Sequence, residues 1–236
     1  MEKIVVISGN HVVYEDMVMT AKSVLDNSTA EKIFLLAEDD SIPGETLPGC
    51  IEVVNVSGQR YFKPDGPNME SKFTYFAMMR AALALMPELK SYDVVLSLDC
   101  DTIALKNIDG IWNLPIDNCY FAASKEMHRT HNGLLYCNTG VALYNLKKLR
   151  DGKAQEVVDV LNARRYTWVE QDVFNYLCQG RIYDMPSEYN VNDWTRPCYE
   201  CYIRHFAGIP SSEWHQRPEA FTYRTKTWAE CLHGRN

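Results

Sequence analysis

Residues 94–102 read Val94-Val95-Leu96-Ser97-Leu98-Asp99-Cys100-Asp101-Thr102, a hydrophobic run that ends in two aspartates one residue apart. The run has the β-branched richness of a buried strand. The aspartates therefore fall where the strand leaves its sheet. Charge is unfavourable inside a core, and in open α/β sheets ligands bind beyond the carboxyl ends of the strands. This stretch predicts an α/β fold with a ligand site at the end of one strand.

Two aspartates at a strand end have two interpretations. Their oxygens form a hard site suited to Mg²⁺ or Mn²⁺ that holds a substrate phosphate. Alternatively, the pair caps the turn or helix that follows. Asp-x-Asp is too short a pattern to decide between a metal ligand and a cap by itself.

Composition and charge are those of a globular protein that can form one large domain of 236 residues. The net charge of -7 argues against non-specific nucleic-acid binding, whereas a nucleotide needs only local positive charge or a metal. No segment approaches the roughly 18 apolar residues of a membrane span. The apolar start at residues 1–8 is too short for a signal-peptide core. We therefore expect a cytoplasmic protein without a transmembrane segment.

The eight cysteines are expected to remain thiols, because the sequence shows no secretory signal. Cys100, Cys119 and Cys137 lie in apolar, strand-like contexts, where cysteine behaves as a small hydrophobic residue. Cys198 and Cys201 have the spacing of zinc ligands, but no second Cys-x-x-Cys accompanies them. Structural zinc is therefore the less favoured interpretation of this pair.

Strand and helix patterns alternate along the chain and predict a sheet flanked by helices. From Gly180 onward the sequence is aromatic-rich and punctuated by proline, which predicts irregular structure. Because no helical pattern separates 119–123 from 135–144, we expect a mixed, mostly parallel sheet. The predicted strands are 3–7, 33–37, 51–56, 94–98, 119–123 and 135–144, and the predicted helices are 14–25, 68–86, 154–161 and 173–177.

Several motifs together resemble glycosyltransferase family 8 of the GT-A fold, which includes glycogenin and bacterial galactosyltransferases. Leu98–Thr102 is similar to its Leu-Asp-x-Asp-Thr signature, and four further segments follow in the order of the family. The resemblance extends from the first strand to about Trp214 and implies one GT-A-type domain over residues 1–236. That domain would comprise a nucleotide-binding half (1–110), a sugar and acceptor half (111–215) and a C-terminal extension (216–236). The further segments are Phe73–Arg80, Tyr136–Val141, Glu170–Asn175 and His205–Gly208.

The resemblance implies a metal-dependent retaining transferase that moves a hexose from a UDP-sugar to an acceptor that the sequence does not identify. Asp99 and Asp101 would bind the metal, and His205 would complete the protein ligands. A mixture of carboxylates and imidazole suits Mn²⁺ better than Mg²⁺, which stays the alternative. For His205 the other interpretation is a core histidine at a strand end.

Arg80 lies on a predicted helix that is otherwise free of charge, so it must extend to water or meet an acceptor. The resemblance implies contact with the donor diphosphate or a sugar hydroxyl. The structural alternative is an ion pair with Asp99 or another carboxylate. Lys72 is a second cationic candidate nearby, and Asp99 is expected to contact the substrate as well as the metal.

The remaining implied roles concern the two ends of a nucleotide-sugar. Gln171 is assigned to the reacting face of the sugar, Glu170 to sugar hydroxyls and Asn138 to either sugar. For Glu170 and Gln171 the alternative is an exposed helix start, and for Asn138 an ordinary turn. Ser8 and Asn10 match the nucleotide-binding position, whereas Tyr14 lies on an apolar helical stripe and is expected to pack in the core. All five binding or catalytic roles follow from the resemblance.

Two positions depart from the family pattern. The segment after Gly208 is one residue longer than in the family and lacks its diphosphate-binding lysine, so Ser211 and Ser212 offer hydroxyls without a charge. Gly208 and Ser211 are the residues expected to contact the substrate here. Lys125 or Glu126 occupies the place where many relatives have a sugar-binding aspartate. The departures keep open a catalytically silent protein that binds nucleotide-sugar or glycan. A sugar nucleotidyltransferase is a further alternative, but the first strand lacks the glycine-rich phosphate loop of that class.

Overall fold

The computed structural model describes residues 2–71, 73–130 and 133–232. The strands in these ranges are β1 (Ile4–Ser8), β2 (Lys32–Ala37), β3 (Ile51–Asn55), β4 (Val94–Leu98), β5 (Thr102–Ala104), β6 (Phe121–Lys125), β7 (Cys137–Asn145), β8 (Ile182–Asp184) and β9 (Ile203–His205). The α-helices are α1 (Tyr14–Asp26), α2 (Thr74–Ala82), α3 (Leu146–Leu149), α4 (Lys153–Ala163), α5 (Val169–Leu177), α6 (Ser211–Trp214), α7 (Pro218–Thr225) and α8 (Trp228–Cys231). Single 3₁₀ turns lie at His11–Val13, Leu83–Leu85, Pro87–Leu89, Asp109–Asn113 and Ser187–Tyr189.

Seven strands form a mixed sheet in the order β3-β2-β1-β4-β7-β6-β8. The pairs β3/β2, β2/β1, β1/β4 and β6/β8 are parallel, and β7 is antiparallel to both of its neighbours. The prediction of a mixed, mostly parallel sheet is thus confirmed. The described residues between β6 and β7 contain no helix, and a short connection of this kind allows an antiparallel pair. A separate two-stranded sheet joins β5 to β9.

Alternate residues of the sheet face two hydrophobic layers, as the period of two in a strand requires. On one face Val5, Ile7 and Leu96 pack against α1, and the same cluster extends to the C-terminal segment. On the other face Val6 and Val95 pack with residues of α2, α4 and α5. Burial on both faces explains why the central strands are almost continuously apolar.

The register of β7 changes abruptly where it passes β6. Ala123 pairs with Ala142, whereas the next residue, Ser124, pairs with Asn138. The three residues between these partners bulge from the β6 side, while Val141 still pairs with Leu98 of β4. Bulges re-aim side chains beside ligand sites, and this one directs residues 138–140 toward the end of β4.

The C-terminal region is more regular than its sequence predicts. The expectation of irregular structure after Gly180 is wrong for β8, β9 and the helices α6–α8. Each of these elements is short, so its sequence carries little periodicity, and pairing with distant residues defines it. The most important is β9, because its partner β5 lies about a hundred residues earlier and follows Asp101 directly, with Thr102 opposite His205.

The helix predicted for 68–86 is shorter in the structure and begins at Thr74. Asn68 lies in turns, and its side-chain amide donates to the carbonyls of Leu161 and Arg164 at 2.6 and 2.8 Å. A helix beginning at Asn68 would lose this link to the end of α4. The apolar surface of 68–73 reflects packing of a turn, which helical periodicity alone does not distinguish.

The C-terminal helices pack back onto α1. The Tyr223 hydroxyl donates to Asp26 Oδ2 at 2.9 Å, and Trp228 Nε1 donates to Glu45 at 2.7 Å.

All eight cysteines are unpaired thiols, as expected. None of the helices in the described ranges has the length and apolar character needed to cross a membrane.

Candidate active site

A cavity of about 610 Å³ opens beyond the carboxyl ends of β1 and β4. Such a position is the usual ligand site of an open α/β sheet. Every described residue that the sequence analysis favoured for metal, substrate or catalysis lines this cavity. These residues are Ser8, Asn10, Arg80, Asp99, Asp101, Asn138, Glu170, Gln171, His205, Gly208 and Ser211. Lys72 lies outside the described residues.

Three potential metal ligands converge at one end of the cavity. Asp99 and Asp101 follow β4, and His205 ends β9 beside them. The His205 Nε2 atom lies 3.3 Å from Asp101 Oδ1 and 3.5 Å from Asp99 Oδ2. One ligand atom from each residue lies within 4.8 Å of the others. A single ion could therefore contact all three groups after small side-chain movements.

Gly140 provides the space for this cluster. A Cβ atom at this position would lie 2.1 Å from His205 Cε1 and 2.7 Å from Asp99 Oδ2. Any side chain there would displace the imidazole or the carboxylate. The backbone of Gly140 also holds the site, since its carbonyl accepts from the Asp99 amide at 2.7 Å. The donor set and this cradle fit a hard divalent cation.

The electrostatics of the cluster favour binding of positive charge. Burial disfavours the charged imidazole, but Asp101 and Asp99 outweigh it and raise the pKa of His205 to about 9. Burial would also raise the pKa of Asp99, but Arg80 and His205 lower it to about 2. Thus Arg80 and His205 stabilise the charged form of Asp99, and the aspartates in turn stabilise the charged form of His205.

Arg80 makes the ion pairs foreseen as the structural alternative. Its guanidinium contacts Asp99 Oδ1, lies 3.1 Å from Glu170 Oε1 and donates to the Thr139 carbonyl at 2.9 Å. Burial would lower the pKa of Arg80, but the charges of Asp99 and Glu170 raise it above its usual range. Because the same side chain also lines the cavity, the ion pairs and a substrate contact are compatible.

Glu170 is a buried carboxyl group that shares Arg80 with Asp99. Burial raises the pKa of Glu170 to about 7, although Arg80 opposes this shift. One guanidinium does not fully compensate two carboxylates. Val169, which precedes Glu170, has a φ of 44°, a left-handed conformation that is rare for a β-branched residue. Local strain at the start of α5 accompanies the placement of its first acidic residue.

The Gln171 side chain is held in one orientation. Its Oε1 accepts from the Thr139 amide at 3.0 Å, and its Nε2 donates to Glu126 Oε1 at 3.2 Å and to the Tyr136 hydroxyl at 3.1 Å. Both amide hydrogens are therefore used within the protein. Glu170 and Gln171 are also buried, so the alternative of an exposed helix start is wrong for both.

The nucleotide end of the cavity begins at β1. The Ser8 hydroxyl donates to the Phe76 carbonyl at 3.1 Å and thereby ties β1 to α2. Asn10 is partly exposed beside it. The buried ring of Tyr14 belongs to the core, and its hydroxyl donates to Asp39 at 2.9 Å. The expectation of core packing for Tyr14 is confirmed.

Ser211 also lines the cavity, and its hydroxyl is already engaged in a hydrogen bond to α1. Its hydroxyl donates to Asp16 Oδ2 at 2.9 Å, and His215 Nε2 lies 2.5 Å from Asp16 Oδ1. Gly208, three residues after the end of β9, has a φ of 76°, a left-handed conformation that favours glycine. Burial raises the pKa of Asp16 above its usual value.

Sequence reasoning missed Asp16, Asn190 and Asn192, and it named Glu126 only as one of two residues at the place of a sugar-binding aspartate. Asp16 is a buried acid on α1, and Glu126 is a buried acid that follows β6. The sequence carried a signal for both: Asp16 is an acid within the apolar stripe of a helix, and Glu126 is an acid directly after a strand. Asn190 and Asn192 had no such signal, because they lie in a segment without periodicity.

The described residues that line the cavity carry more acidic than basic side chains. A polyanion would therefore be repelled unless a cation accompanied it. The acids are Asp16, Asp99, Asp101, Glu126 and Glu170, and the bases are Arg80 and Arg129, with His205 as a further basic group.

Comparison with known families assigns the chain. Residues 41–195 match the family model described as glycosyl transferase family 8. The chain belongs to glycosyl transferase family 8. The matched region contains both aspartates of the metal cluster together with Arg80, Asn138 and Gln171, but it ends before His205. The activity of the family is transfer of glycosyl groups.

Curated relatives of this family 8 chain are distant. A Haemophilus influenzae protein provisionally named a glycosyltransferase is 23% identical over an alignment 243 residues long. The alignment covers 90% of this chain and 73% of that protein. Glycosyltransferase GlyE of Streptococcus pneumoniae is 23% identical over 202 residues, which cover 80% of this chain and 48% of that protein. The chain spans about half the length of GlyE.

Solved structures show the same GT-A fold. Galactosyltransferase LgtC, solved with donor and acceptor sugar analogues, has a TM-score of 0.66 at 19% identity, covering 97% of this chain and 95% of that chain. The apo form of S. pneumoniae GlyE has a TM-score of 0.71 at 18% identity, covering 98% and 62%. The family 8 chain is thus a single GT-A domain, as predicted.

Proposed function

We propose that this family 8 protein is a metal-dependent retaining glycosyltransferase that moves a hexose from a UDP-sugar to a carbohydrate, protein or small-molecule acceptor. The observation that carries the proposal is the convergence of Asp99, Asp101 and His205 in the cavity that Arg80 also lines. A cap interpretation of the aspartates accounts for neither the imidazole between them nor the space left by Gly140.

The acidic lining supports the proposed metal dependence. A UDP-sugar carries a diphosphate, which the carboxylates of this cavity would repel. A divalent ion held by Asp99, Asp101 and His205 would neutralise the diphosphate and stabilise it as a leaving group by Lewis-acid chemistry. Mn²⁺ is the proposed ion because the ligands combine carboxylates with imidazole, and Mg²⁺ is the alternative.

The proposed donor lies along the cavity from β1 to α5. Ser8 and Asn10 would contact the uridine, and Gly208, Ser211 and Arg80 would border the diphosphate. At the sugar end, Glu170 and Asn138 would bind hydroxyl groups. This orientation would place the uridine on the proposed nucleotide-binding half, 1–110, and the sugar on 111–215, with the diphosphate between residues of both halves.

The transfer step is proposed to occur on one face of the sugar. The acceptor hydroxyl oxygen forms a bond to the anomeric carbon while the bond from that carbon to the diphosphate oxygen breaks. The acceptor proton passes to a diphosphate oxygen, and UDP leaves. Gln171, fixed by three hydrogen bonds, would stabilise the positive anomeric centre electrostatically, because a preorganised dipole needs no rearrangement during the reaction.

A catalytically silent protein that binds nucleotide-sugar is the second candidate. The observation favouring it is that Ser211 stands where relatives carry a diphosphate-binding lysine, and its hydroxyl already donates to Asp16. In that case Arg80 and the metal would hold the diphosphate, but no transfer would follow.

The cytoplasmic location and the C-terminal extension of 216–236 as a separate part stay predictions.

A panel of UDP-sugars tests the proposed function. UDP release is measured with Mn²⁺, first without and then with candidate acceptors, for the wild type and Asp101→Asn. We expect release from one donor that depends on Mn²⁺ and is lost in the variant. Full Mn²⁺-dependent activity of Asp101→Asn would contradict the assigned metal site. Thermal stabilisation by UDP and Mn²⁺ without sugar release from any donor would favour the silent binding protein.

A further inference from the structure

We infer that Asn190 is a positioning residue for the metal site, because it fixes which nitrogen of His205 carries a proton. The inference rests on the proposed metal dependence. It concerns a chain of three side-chain amides, Asn138, Asn190 and Asn192, that are all buried and end at the imidazole. Asn192 is held by two backbone amides, Asn138 by a backbone amide and a carboxylate, and Asn190 by the other two side chains.

Asn138 is the first fixed amide. Its Oδ1 accepts from the Gly140 backbone amide at 3.1 Å, and its Nδ2 donates to Glu126 Oε1 at 3.1 Å. A backbone N–H only donates, and a carboxylate only accepts. Exchange of the oxygen and nitrogen of Asn138 would make both contacts repulsive. Its Oδ1 must therefore face Gly140, and the same oxygen faces Asn190.

Asn192 is the second fixed amide. Its Oδ1 accepts from the backbone amides of Trp194 and Thr195 at 2.8 and 3.1 Å. These two donors leave its Nδ2 directed at Asn190 Oδ1, at a distance of 2.8 Å. The orientation of Asn192 is thus independent of the titration state of any side chain.

Asn190 lies between these two groups and is completely buried. Its Nδ2 donates to Asn138 Oδ1 at 3.0 Å, and its Oδ1 accepts from Asn192. A flipped Asn190 would place oxygen against oxygen on one side and nitrogen against nitrogen on the other. Unpaired buried polar groups cost about 1–3 kcal/mol each. The Asn190 oxygen is therefore committed to its position.

The Asn190 oxygen also lies 2.9 Å from His205 Nδ1. The Asn192 Nδ2 atom also lies 3.3 Å from Nδ1, but it is 2.8 Å from the Asn190 oxygen and donates there. The nearer neighbour of Nδ1 is therefore an acceptor, which places the proton on Nδ1. The lone pair of a neutral His205 is then on Nε2, the atom that faces Asp99 and Asp101. A hydrogen bond of this kind fixes the tautomer of a metal-binding histidine and raises its basicity. Asn190 thereby presents Nε2 to a cation.

The backbone around Asn190 is held without its side chain. The Asn190 amide donates to the Ser187 carbonyl at 2.9 Å, and the next residue, Val191, exchanges backbone hydrogen bonds with β9 at Ile203 and His205, each 3.0 Å long. Substitution of the side chain should therefore leave β9 in place. A change in metal affinity would then report on the amide.

The test compares Asn190→Leu, which has similar volume but no polar group, with Asn190→Asp, which keeps an acceptor for Nδ1. Mn²⁺ dissociation constants are measured by calorimetry without any sugar. Asn190→Leu should bind Mn²⁺ about 10–100-fold more weakly, the usual effect of losing such a partner. Asn190→Asp keeps the acceptor for Nδ1, while its second oxygen faces Asn138 Oδ1. It should therefore be less stable than wild type but bind Mn²⁺ more tightly than Asn190→Leu. Nitrogen-15 spectra of histidine-labelled protein with diamagnetic Cd²⁺ should show the proton on His205 Nδ1 in wild type and Asn190→Asp.

Asn145→Leu is the matched control, because Asn145 is a buried asparagine opposite Val94, at the far end of the sheet. It should lower thermal stability without changing Mn²⁺ affinity. Wild-type affinity in Asn190→Leu, or equal weakening in both Asn190 variants, would overturn the inference while the proposed function stands. Failure of the wild type to bind Mn²⁺ would overturn both.

Discussion

Replacement of Gly140 by alanine should remove His205 from the metal site. The added Cβ would lie 2.1 Å from His205 Cε1, so the imidazole must retreat by about 1.3 Å to reach an ordinary contact of 3.4 Å. Metal–ligand distances tolerate changes of only about 0.2 Å. The same Cβ would lie 2.7 Å from Asp99 Oδ2 and displace that ligand as well. The variant should therefore lose more affinity than removal of a supporting hydrogen bond costs.

We expect Gly140→Ala to bind Mn²⁺ more than about 100-fold more weakly than wild type, the upper end of the effect of a lost supporting partner. Overpacking of this kind costs about 1–3 kcal/mol, so thermal unfolding should also move down by several degrees. Titration calorimetry gives the affinity, and circular dichroism gives the melting temperature. Gly58→Ala is the control, since a Cβ there meets nothing within 4 Å. Wild-type Mn²⁺ affinity in a folded Gly140→Ala protein would refute the reasoning.

Three further predictions concern the charges around the cluster. Arg80→Met leaves Glu170 buried without its partner and should lower the free energy of unfolding by about 3–5 kcal/mol. The double variant Arg80→Met/Glu170→Gln should recover much of this loss, and denaturant titrations measure both values. Because the pKa of Glu170 is raised from 4.5 to about 7, its protonated form stabilises the fold at low pH. Metal-free wild type should therefore lose stability relative to Glu170→Gln as pH rises from 4.5 to 7, and parallel curves would contradict the assigned shift. Ser211→Lys should raise the affinity for UDP with Mn²⁺ up to about tenfold, since lysine binds phosphate as a point charge. The control Ser212→Lys, at an exposed position, should leave this affinity unchanged. Equal effects of the two substitutions would count against a diphosphate at Ser211.

The main elements of the fold could be predicted because they are long and buried. The strand 94–98 matches β4 residue for residue, and its end at Asp99 opens into the cavity. The mixed sheet followed from a missing helix between two strand patterns. In each case the local pattern and the burial in the fold agree, so periodicity alone was sufficient.

The position of His205 required a different kind of evidence. β9 has three residues, and β5, its partner, also has three. Strands this short carry no periodic signal, and backbone pairing between distant segments defines them. Only the similarity of 205–208 to a family motif indicated that His205 belongs with Asp99 and Asp101.

Asn190 and Glu126 show where prediction from sequence ended. Asn190 depends on the bulge in β7, which brings Asn138 toward the loop that precedes β9. Glu126 is one of the two residues named at a departure from the family pattern, yet its buried contacts with Asn138 and Gln171 follow from the same bulge. A change of register is not visible in composition or spacing, and these roles emerge only from the folded chain.

The most direct test of the proposed function is the affinity of the wild-type protein for UDP, measured by calorimetry with Mn²⁺ and again with the metal chelated. Because the cavity lining is acidic, we predict clear binding with Mn²⁺ and a loss of at least tenfold, about 1.4 kcal/mol, without it. Equal UDP affinity in the two conditions, or no binding in either, would contradict a metal-dependent UDP-sugar site.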